Sequence, residues 1–262
     1  MRFALMTIAL LAGCASTPPR QAVTDLAPSG TLRAAINVGN AVLAARPAAP
    51  GGEPTGISVD LARELGRRLG VPVQLIVFDA AGKVVDAGRT GGWDIAFVAL
   101  DPKRAAEIAQ SPPYVQIEGS YLVKNDSPLK SNDEVDRKGH RVVVGRNSAY
   151  DLYLTRELKQ AQIVRTPTSG AVVDTMLKEN YEVSAGVKQA LENDARRIPG
   201  VRLLPGRFMV INQAMASQRN KEAGARYVRE FIEEMKASGF VAKAIERHQQ
   251  PSAVVAPPGD PK

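Results

Sequence analysis

Cysteine is almost absent from this chain of 262 residues, which contains a single one, Cys14. One cysteine cannot form an intramolecular disulfide, so an apolar core has to stabilise the fold by itself. Histidine is nearly as rare, since only His140 and His248 occur. The sequence shows no cluster of metal-ligand residues and no glycine-rich loop for phosphate, and we therefore predict neither a metal nor a cofactor.

Long apolar runs and clustered charges are also lacking. The apolar run near the N-terminus is shorter than the roughly 20 residues that a membrane-spanning helix needs, and no later run is longer. Lysine and arginine total 34 against 27 acidic residues, a net charge of +7, but the excess is spread along the chain. Without a basic cluster interleaved with aromatic residues, nothing indicates a nucleic-acid partner. The mild excess suits an anionic ligand or, equally well, a solvated basic surface.

The N-terminus has the pattern of a secretory signal: one charge at Arg2, a short apolar segment and then small residues. The segment Leu11-Ala12-Gly13-Cys14 resembles the bacterial lipobox, in which the cysteine is acylated and becomes the new N-terminus. We therefore predict a signal peptide over residues 1–13, lipidation at Cys14 and a small, polar, proline-containing tether over 14–30. The alternative is a chance thiol inside a discarded signal. A lipidated protein would be held in the cell envelope as a membrane-anchored periplasmic protein.

The middle of the chain alternates strand and helix patterns, which predicts an α/β fold. The β-like runs cover residues 32–38, 73–78, 93–100, 141–144 and 163–164. The helical patterns cover 57–69, a segment opening at 101–102 that carries Arg104 and Ile108, a segment from 148 through 158, 171–177 and 221–240. The last residues are rich in proline and show no hydrophobic period, so we predict a disordered tail over 249–262.

Parallel α/β sheets bind ligands where strands end and helices begin, and two such junctions stand out. At the first, Asp101 is a good N-cap residue and Pro102 suits the first turn, yet Arg104 places a cation at the unfavourable end of the helix dipole. A bound anion would make this arrangement favourable. Alternatively, Arg104 forms a surface ion pair with Asp101, Glu107 or Asp94.

The second junction lies at Asn147 and Ser148. Ser148 and Asp151 have the spacing of a capping box, and helix capping alone would explain them. The functional interpretation is that the backbone amides of Asn147 and Ser148 donate to an anion.

Several segments together resemble one family. They are, in chain order, Gly56-Ile57-Ser58-Val59-Asp60-Leu61-Ala62, Trp93-Asp94-Ile95-Ala96, Arg104, Ser111-Pro112-Pro113-Tyr114, Val142-Val143-Val144-Gly145 and Ser148. Their order and spacing over roughly residues 31–245 resemble the family 3 extracellular solute-binding proteins, the polar amino-acid group that serves ABC transporters.

The resemblance implies a type II periplasmic binding protein fold, with two α/β lobes joined by two crossing strands near 120–124 and 208–213. Lobe 1 would comprise residues 31–121 and 213–248, and lobe 2 residues 122–212. The implied protein is a monomer that captures a small anionic solute, either an organic acid or an amino acid. It would deliver the solute to an ABC permease of the inner membrane.

The resemblance also implies binding positions. The family's arginine grips a ligand carboxylate, which gives Arg104 that role, and the second junction adds further contacts. Two positions depart from the family: Ala99 lies where a serine or threonine is common, and Val187 or Lys188 lies where an aspartate pairs with the ligand's ammonium. The expected ligand-binding residues are therefore Arg104, Ser148, Asn147, Asn40, Ala99 and Val187, with turn formation as the alternative for Asn37 and Asn40.

Two other functions remain open from the sequence. Some relatives on this fold are enzymes of the cyclohexadienyl or arogenate dehydratase type, and here only Glu118 and Glu182 could supply a general acid. Neither lies in a motif with a base or nucleophile, so we predict a protein that is not an enzyme. A ligand-sensing lipoprotein would have the same sequence features. Trp93 is expected to be buried, and Tyr114, Tyr121 and Tyr150 either pack in the core or reach the cleft.

Overall fold

The computed structural model describes residues 17–47 and 49–259. The predicted signal peptide and Cys14 lie outside these residues. Within them, no helix combines the length and the apolar character needed to cross a bilayer.

A single sheet of ten strands forms the centre of the molecule. The strands are β1 (Leu32–Asn37), β2 (Val73–Phe78), β3 (Ile95–Ala99), β4 (Ile108–Lys124), β5 (Arg141–Gly145), β6 (Gln162–Thr166), β7 (Val183–Val187), β8 (Val201–Leu203), β9 (Met209–Gln218) and β10 (Val254–Val255). The helices are α1 (Arg20–Leu26), α2 (Ile57–Leu69), α3 (Ala81–Gly88), α4 (Pro102–Ala105), α5 (Ala149–Glu157), α6 (Val172–Lys178), α7 (Lys188–Arg197), α8 (Glu222–Ala237) and α9 (Phe240–Arg247).

The sheet has two parallel halves that meet at an antiparallel centre. Its main strand order is β2-β1-β3-β9-β4-β7-β5-β6. Strand β1 runs parallel to β2 and β3, and β5 runs parallel to β6 and β7, whereas β9 and β4 are antiparallel to each other and to their outer neighbours. This arrangement confirms the predicted α/β fold with two lobes joined by two crossing strands. We call the β1–β3 side lobe 1 and the β5–β7 side lobe 2.

The crossing strands pass between the lobes at specific pairs of residues. In β9, Gln213 pairs with Ala99 of lobe 1, and Met209 pairs with Gly119. Gly119 also pairs with Val187 of lobe 2. By these pairings the passage between the lobes lies between Gln213 and Met209 in β9 and before Gly119 in β4.

Local patterns explain most of the elements. Helix α2 buries Ile57, Leu61 and Leu65 on one face, as their spacing predicts, and it ends where Gly70 adopts a left-handed conformation with φ of 70°. Two expectations for helices need correction. The helix opening at Pro102 is a single turn, so Ile108 begins β4 instead of lying on the helix. The long C-terminal helix is interrupted at Gly239, whose φ is 75°.

The expected tether contains a helix. Ala22 and Leu26 of α1 are fully buried, and the Asp25 carboxylate accepts a hydrogen bond of 3.0 Å from the backbone N–H of Gly224 in α8. A composition rich in small and polar residues masked the apolar spacing of Ala22 and Leu26, which lie one helical turn apart. The prediction of an unstructured tether is therefore wrong for residues 20–26.

The expected disordered tail is also ordered over the residues described. Val254 and Val255 pair with Gln116 and Val115 at an edge of β4, and the N–H of Ala256 donates to the Tyr114 carbonyl at 3.1 Å. Ala256 itself is buried. The prolines that suggested disorder are compatible with this short strand because they flank its hydrogen-bonding residues.

We expect Ala256→Asp to detach the tail, because it places an unpaired carboxylate at a position that is 3% exposed. The loss of unfolding free energy should be about 1–3 kcal/mol. The readout is amide hydrogen exchange of residues 253–256. Val254→Asp makes the same charge change at a position that is 58% exposed and should leave exchange slow. Equal exchange in both variants would contradict the packing role of the tail.

Candidate functional site

A cavity lies between the two lobes, beside the crossing strands. It encloses about 670 Å³ of empty space, including its opening to solvent. Lobe 1 contributes the end of β3 and the loop after β1, lobe 2 contributes the starts of α5 and α7, and β9 forms part of the wall. The polar or charged lining residues are Asn37, Asn40, Arg104, Ser148, Tyr150, Ser169, Asp194 and Gln213.

Arg104 is the most deeply buried charge at this cavity. The residue is 2% exposed, and burial lowers the pKa of its guanidinium to about 10, which still leaves it a cation at neutral pH. Its Nη1 donates to the Ala99 carbonyl at 3.0 Å, and its Nη2 donates to the Asn147 carbonyl of lobe 2 at 2.8 Å. Both acceptors are neutral, and among the described residues no carboxylate pairs with Arg104.

The three acids considered as surface partners of Arg104 are each bound to a different arginine. Asp94 forms a two-pronged contact with Arg33 (2.7 and 3.0 Å). Asp101 pairs with Arg156 at 2.9 Å. Glu107 pairs with Arg89 at 2.8 Å. The surface ion-pair interpretation of Arg104 is therefore wrong.

The carbonyl of Ala99 accepts two side-chain hydrogen bonds on the lobe 1 side of the cavity. It accepts from Arg104 and also from Nε2 of Gln110 at 3.1 Å. The position that lacks a serine or threonine hydroxyl thus contributes through its backbone, by fixing the arginine. The Oε1 atom of Gln110 is buried without a hydrogen-bond partner among the described residues.

The second junction forms the predicted helix cap but not the predicted anion donors. Ser148 Oγ accepts from the Asp151 N–H at 3.0 Å, while the Asp151 carboxylate accepts from the Asn147 N–H at 2.7 Å. The Ser148 N–H donates to the Gly145 carbonyl. Both amides that we expected to face an anion are therefore occupied inside the protein. Asn147 adopts a left-handed conformation with φ of 55°, and its carbonyl is the one that holds Arg104.

The next two amides of the same helix are available instead. The N–H groups of Ala149 and Tyr150 have no acceptor within the part of the chain described here, as is usual for the first turn of a helix. Both residues line the cavity. The unoccupied N–H groups at the start of α5 thus lie two residues after the positions that we predicted as anion donors.

Two further polar groups of the lining are partly occupied. Asn37 Oδ1 accepts from the Gly39 N–H at 3.0 Å, so Asn37 forms the turn after β1. Asn40 lies beside it and also lines the cavity. The Tyr150 hydroxyl donates to Ser169 Oγ at 2.8 Å. Burial raises the pKa of the Tyr150 hydroxyl.

Val187 lies on the cavity wall at the end of β7, as the sequence comparison with the family predicts. The neighbouring Lys188 instead bonds Glu118 at 2.8 Å. The acidic residue of the lining is Asp194, one turn and a half into α7, where it accepts from Arg197 at 3.0 Å. The cavity wall therefore has the apolar side chain of Val187 at the end of β7.

Trp93, Tyr114 and Tyr121 are part of the core. Trp93 is fully buried as predicted, and its Nε1 donates to the Val84 carbonyl at 2.7 Å. Tyr114 is buried against Phe97 in an edge-on contact of 5.9 Å, and Tyr121 stacks on Phe208 at 4.3 Å. Of the three tyrosines considered, only Tyr150 lines the cavity.

The two glutamates considered as general acids lie outside this lining. Glu118 bonds Lys188 and Arg207, and the Lys188 hydrogen bond lowers its pKa. Glu182 bonds Arg141, which lowers its pKa in the same way. A general acid at neutral pH needs a raised pKa, so neither environment suits that role.

Sequence reasoning did not identify Gln213 as a site residue. It lies in β9 between Ile211 and Met215, the buried apolar residues two positions away on either side. It is 5% exposed and lines the cavity, and its side chain has no hydrogen-bond partner among the residues described. A glutamine that alternates with two apolar residues on one face of a strand was the available signal. The apolar wall was also missed, and it consists mainly of Phe97, Val172, Leu191 and Ile211.

The sequence model of the bacterial extracellular solute-binding proteins, family 3, matches residues 43–251. The chain belongs to this family. A comparison with curated protein sequences gives no significant match.

Solved structures of similar fold cover nearly the whole chain. The solute receptor for L-cysteine of Neisseria gonorrhoeae has a TM-score of 0.75 at 19% identity, covering 88% of this chain and 94% of its own. A mutant of ArgBP from T. maritima scores 0.73 at 18% identity, with 87% and 99% covered. An ancestral amino acid-binding protein, described as a precursor of cyclohexadienyl dehydratase, scores 0.72 at 20% identity, with 86% and 97% covered. These likenesses show the shared type II periplasmic binding protein fold.

Proposed function

We propose that this protein captures a small carboxylate-bearing solute between its lobes and delivers it to an ABC permease. The observation that carries the proposal is the buried guanidinium of Arg104, which lines the cavity and whose hydrogen bonds to described residues all go to neutral carbonyls. An unpaired buried cation is costly, and a ligand carboxylate would supply the missing charge. A guanidinium has five N–H donors, so further donors remain for such a ligand.

The start of α5 supports the same ligand chemistry from the opposite lobe. The N–H groups of Ala149 and Tyr150 have no acceptor in residues 17–47 and 49–259, and they carry the positive end of the helix dipole. A carboxylate held by Arg104 of lobe 1 and these amides of lobe 2 would contact both lobes only when they are closed. Binding therefore favours closure by the free energy of those contacts.

The cellular role follows from the family and from the N-terminal sequence. Acylation of Cys14 would anchor a monomeric protein at the membrane of the periplasm, where a permease can accept the solute. The sequence and the fold are equally suited to a ligand-sensing lipoprotein, and the presence of permease and ATPase genes beside this gene would favour transport.

A thermal-shift screen tests the proposed binding function. We expect at least one small carboxylic acid, among organic acids and amino acids, to raise the melting temperature in a concentration-dependent way, because such a ligand binds only the folded state. The matched primary amide of that acid should have no effect. If amides stabilise the protein as well as acids do, the cavity does not select a carboxylate.

An ion pair between the lobes gives a prediction about closure. Asp101 of lobe 1 is 3% exposed in its side chain and pairs with Arg156 of lobe 2. Arg156→Ala should weaken ligand binding by about 0.5–1 kcal/mol, roughly 2- to 5-fold, since it removes a contact that exists only between closed lobes. Calorimetry measures the affinity. Arg196→Ala removes an arginine whose side chain bonds Asn193 of its own helix and no other described residue, and it should leave the affinity unchanged. Unchanged affinity in both variants would contradict a role in closure.

A further inference from the structure

Gln213 lines the cavity with a polar side chain that makes no hydrogen bond to any residue the structure describes. It is 5% exposed, it lines the cavity, and no described residue hydrogen-bonds its amide. Its amide offers a donor and an acceptor that the described residues leave unused, so both are available to a ligand in the cavity. Gln213 lies on a crossing strand, next to both lobes, where a bound solute would contact it.

The position of Gln213 relative to Arg104 indicates which part of the solute it contacts. Gln213 pairs with Ala99 across the two strands, and the Ala99 carbonyl holds the Arg104 guanidinium at 3.0 Å. Paired residues on adjacent strands are about 5 Å apart. A carboxylate bound by Arg104 therefore brings the substituent on its neighbouring carbon towards the Gln213 amide.

The charges around the cavity indicate the nature of that substituent. Arg104 and a carboxylate neutralise each other, whereas an added ammonium would need a further acidic partner. Among the described lining residues, the acid is Asp194, which is already bonded to Arg197. Val187 is apolar, and Lys188 is directed to Glu118. The amide N–H of Gln213, by contrast, donates well to a carbonyl or hydroxyl oxygen.

The rest of the wall limits the side chain of the solute. Val172, Leu191 and Ile211 line the cavity and are all almost completely buried. Such a surface is complementary to a branched aliphatic group and offers nothing to a charged one.

We propose that Gln213 is a specificity-determining residue that selects an aliphatic 2-oxo or 2-hydroxy acid over the corresponding α-amino acid. This rests on the proposed function, because it requires Arg104 to hold the carboxylate. The Gln213 amide donates to the 2-oxygen of the solute, and the aliphatic chain packs against the apolar wall. Specificity then comes from the neutral amide donor of Gln213, which lies beside the Arg104 guanidinium, whose charge the solute carboxylate compensates.

The test uses three probes that share one side chain: 4-methyl-2-oxopentanoate, 2-hydroxy-4-methylpentanoate and L-leucine. Calorimetry on the purified protein should show the oxo or hydroxy acid binding at least about ten-fold more tightly than the amino acid. Gln213→Leu should weaken binding of the oxo and hydroxy acids by about ten-fold or more, because it removes the donor while keeping an apolar side chain of similar size. Gln213→Glu should reverse the preference towards L-leucine, since its carboxylate repels the oxygen and attracts the ammonium.

Gln116→Glu is the matched control. It makes the same change on the other crossing strand, where the Gln116 amide bonds Asn212 outside the cavity lining, and should keep the preference of the wild-type protein. The inference would be overturned if the wild-type protein bound L-leucine more tightly than the two acids, or if it bound none of the three probes. It would also be overturned if Gln213→Leu bound the oxo and hydroxy acids as tightly as the wild-type protein does.

Arg104→Met separates this result from the proposed function. If carboxylates found by the thermal-shift screen lose affinity in Arg104→Met while Gln213 variants bind normally, the carboxylate site stands and the role of Gln213 is refuted. If Arg104→Met binds as tightly as the wild-type protein, the proposed function itself fails.

Discussion

Arg104→Met should lower the affinity for a carboxylate solute by about 2–5 kcal/mol, which corresponds to roughly 30-fold to several thousand-fold in the dissociation constant. The substitution removes the one buried cation of the cavity lining and its charge-assisted hydrogen bonds to the ligand. Arg104→Lys should also bind weakly, since the single nitrogen of an ammonium cannot reproduce the planar two-pronged contact of a guanidinium with a carboxylate. Isothermal calorimetry with the acid that stabilises the wild-type protein measures both losses.

The thermal stability of the ligand-free protein should not fall in Arg104→Met, in contrast to its affinity for the ligand. Burial lowers the pKa of Arg104 to about 10, so the folded state disfavours the charged form relative to the unfolded chain. This cost to the stability of the folded state is present at every pH below about 10. It is relieved as the pH rises from about 10 towards the pKa of arginine in the unfolded chain, because in that range the unfolded chain binds more protons than the folded protein. Replacing the cation with methionine removes the cost, although the Ala99 and Asn147 carbonyls lose their donor. Ligand-free Arg104→Met should therefore melt no lower than the wild-type protein at neutral pH.

Arg89→Met provides the matched control, because Arg89 is an exposed arginine that pairs with Glu107 and Asp86 outside the main cavity lining. Its affinity for the ligand should equal that of the wild-type protein. The carboxylate site would be refuted by normal binding in Arg104→Met. A large drop in the melting temperature of ligand-free Arg104→Met would instead show that the arginine is a structural residue.

The sequence predicted the fold well where local periodicity and chain order agree. The apolar spacing of Ile57, Leu61 and Leu65 specifies α2 without any tertiary information, and the alternation of strands and helices specifies the two parallel halves. The tail and α1 were missed because their order comes from contacts with distant elements. Val255 pairs with Val115, and Leu26 packs beside Gly224, which no local pattern reveals.

The site was predictable only in part, for a related reason. Spacing placed Arg104 and Ser148 at helix starts near the strand ends, and both line the cavity. The orientation of the Asp151 carboxylate determines which backbone amides remain free at the start of α5. This carboxylate accepts a hydrogen bond from the Asn147 N–H. The role of Gln213 depends on the register between β9 and β3. Such facts follow from packing across the sheet and not from spacing along the chain.

Asp151 contributes both to the stability of lobe 2 and to the geometry of the cavity. Its side chain is 2% exposed and accepts from the Asn147 N–H at 2.7 Å and from Arg165 Nε at 3.0 Å. Through Asn147 it fixes a left-handed residue whose carbonyl contacts Arg104. An acidic residue in the first turn also suits the dipole of α5.

Asp151→Ala should lower the free energy of unfolding by about 2–4 kcal/mol, because it removes a buried carboxylate and leaves the part-buried Asn147 N–H and the Arg165 guanidinium without their acceptor. Affinity for the carboxylate ligand should fall as well, since Asn147 no longer holds its carbonyl towards Arg104. Asp151→Asn keeps an acceptor for the Asn147 N–H and should lie between the alanine variant and the wild-type protein in both measurements. Asp174→Ala removes an exposed acid from α6 of the same lobe, where Asp174 contacts Arg197 at 3.6 Å, and should change neither quantity. Urea denaturation and calorimetry measure the two effects, and an Asp151→Ala protein as stable as Asp174→Ala would show that Asp151 does not organise the start of α5.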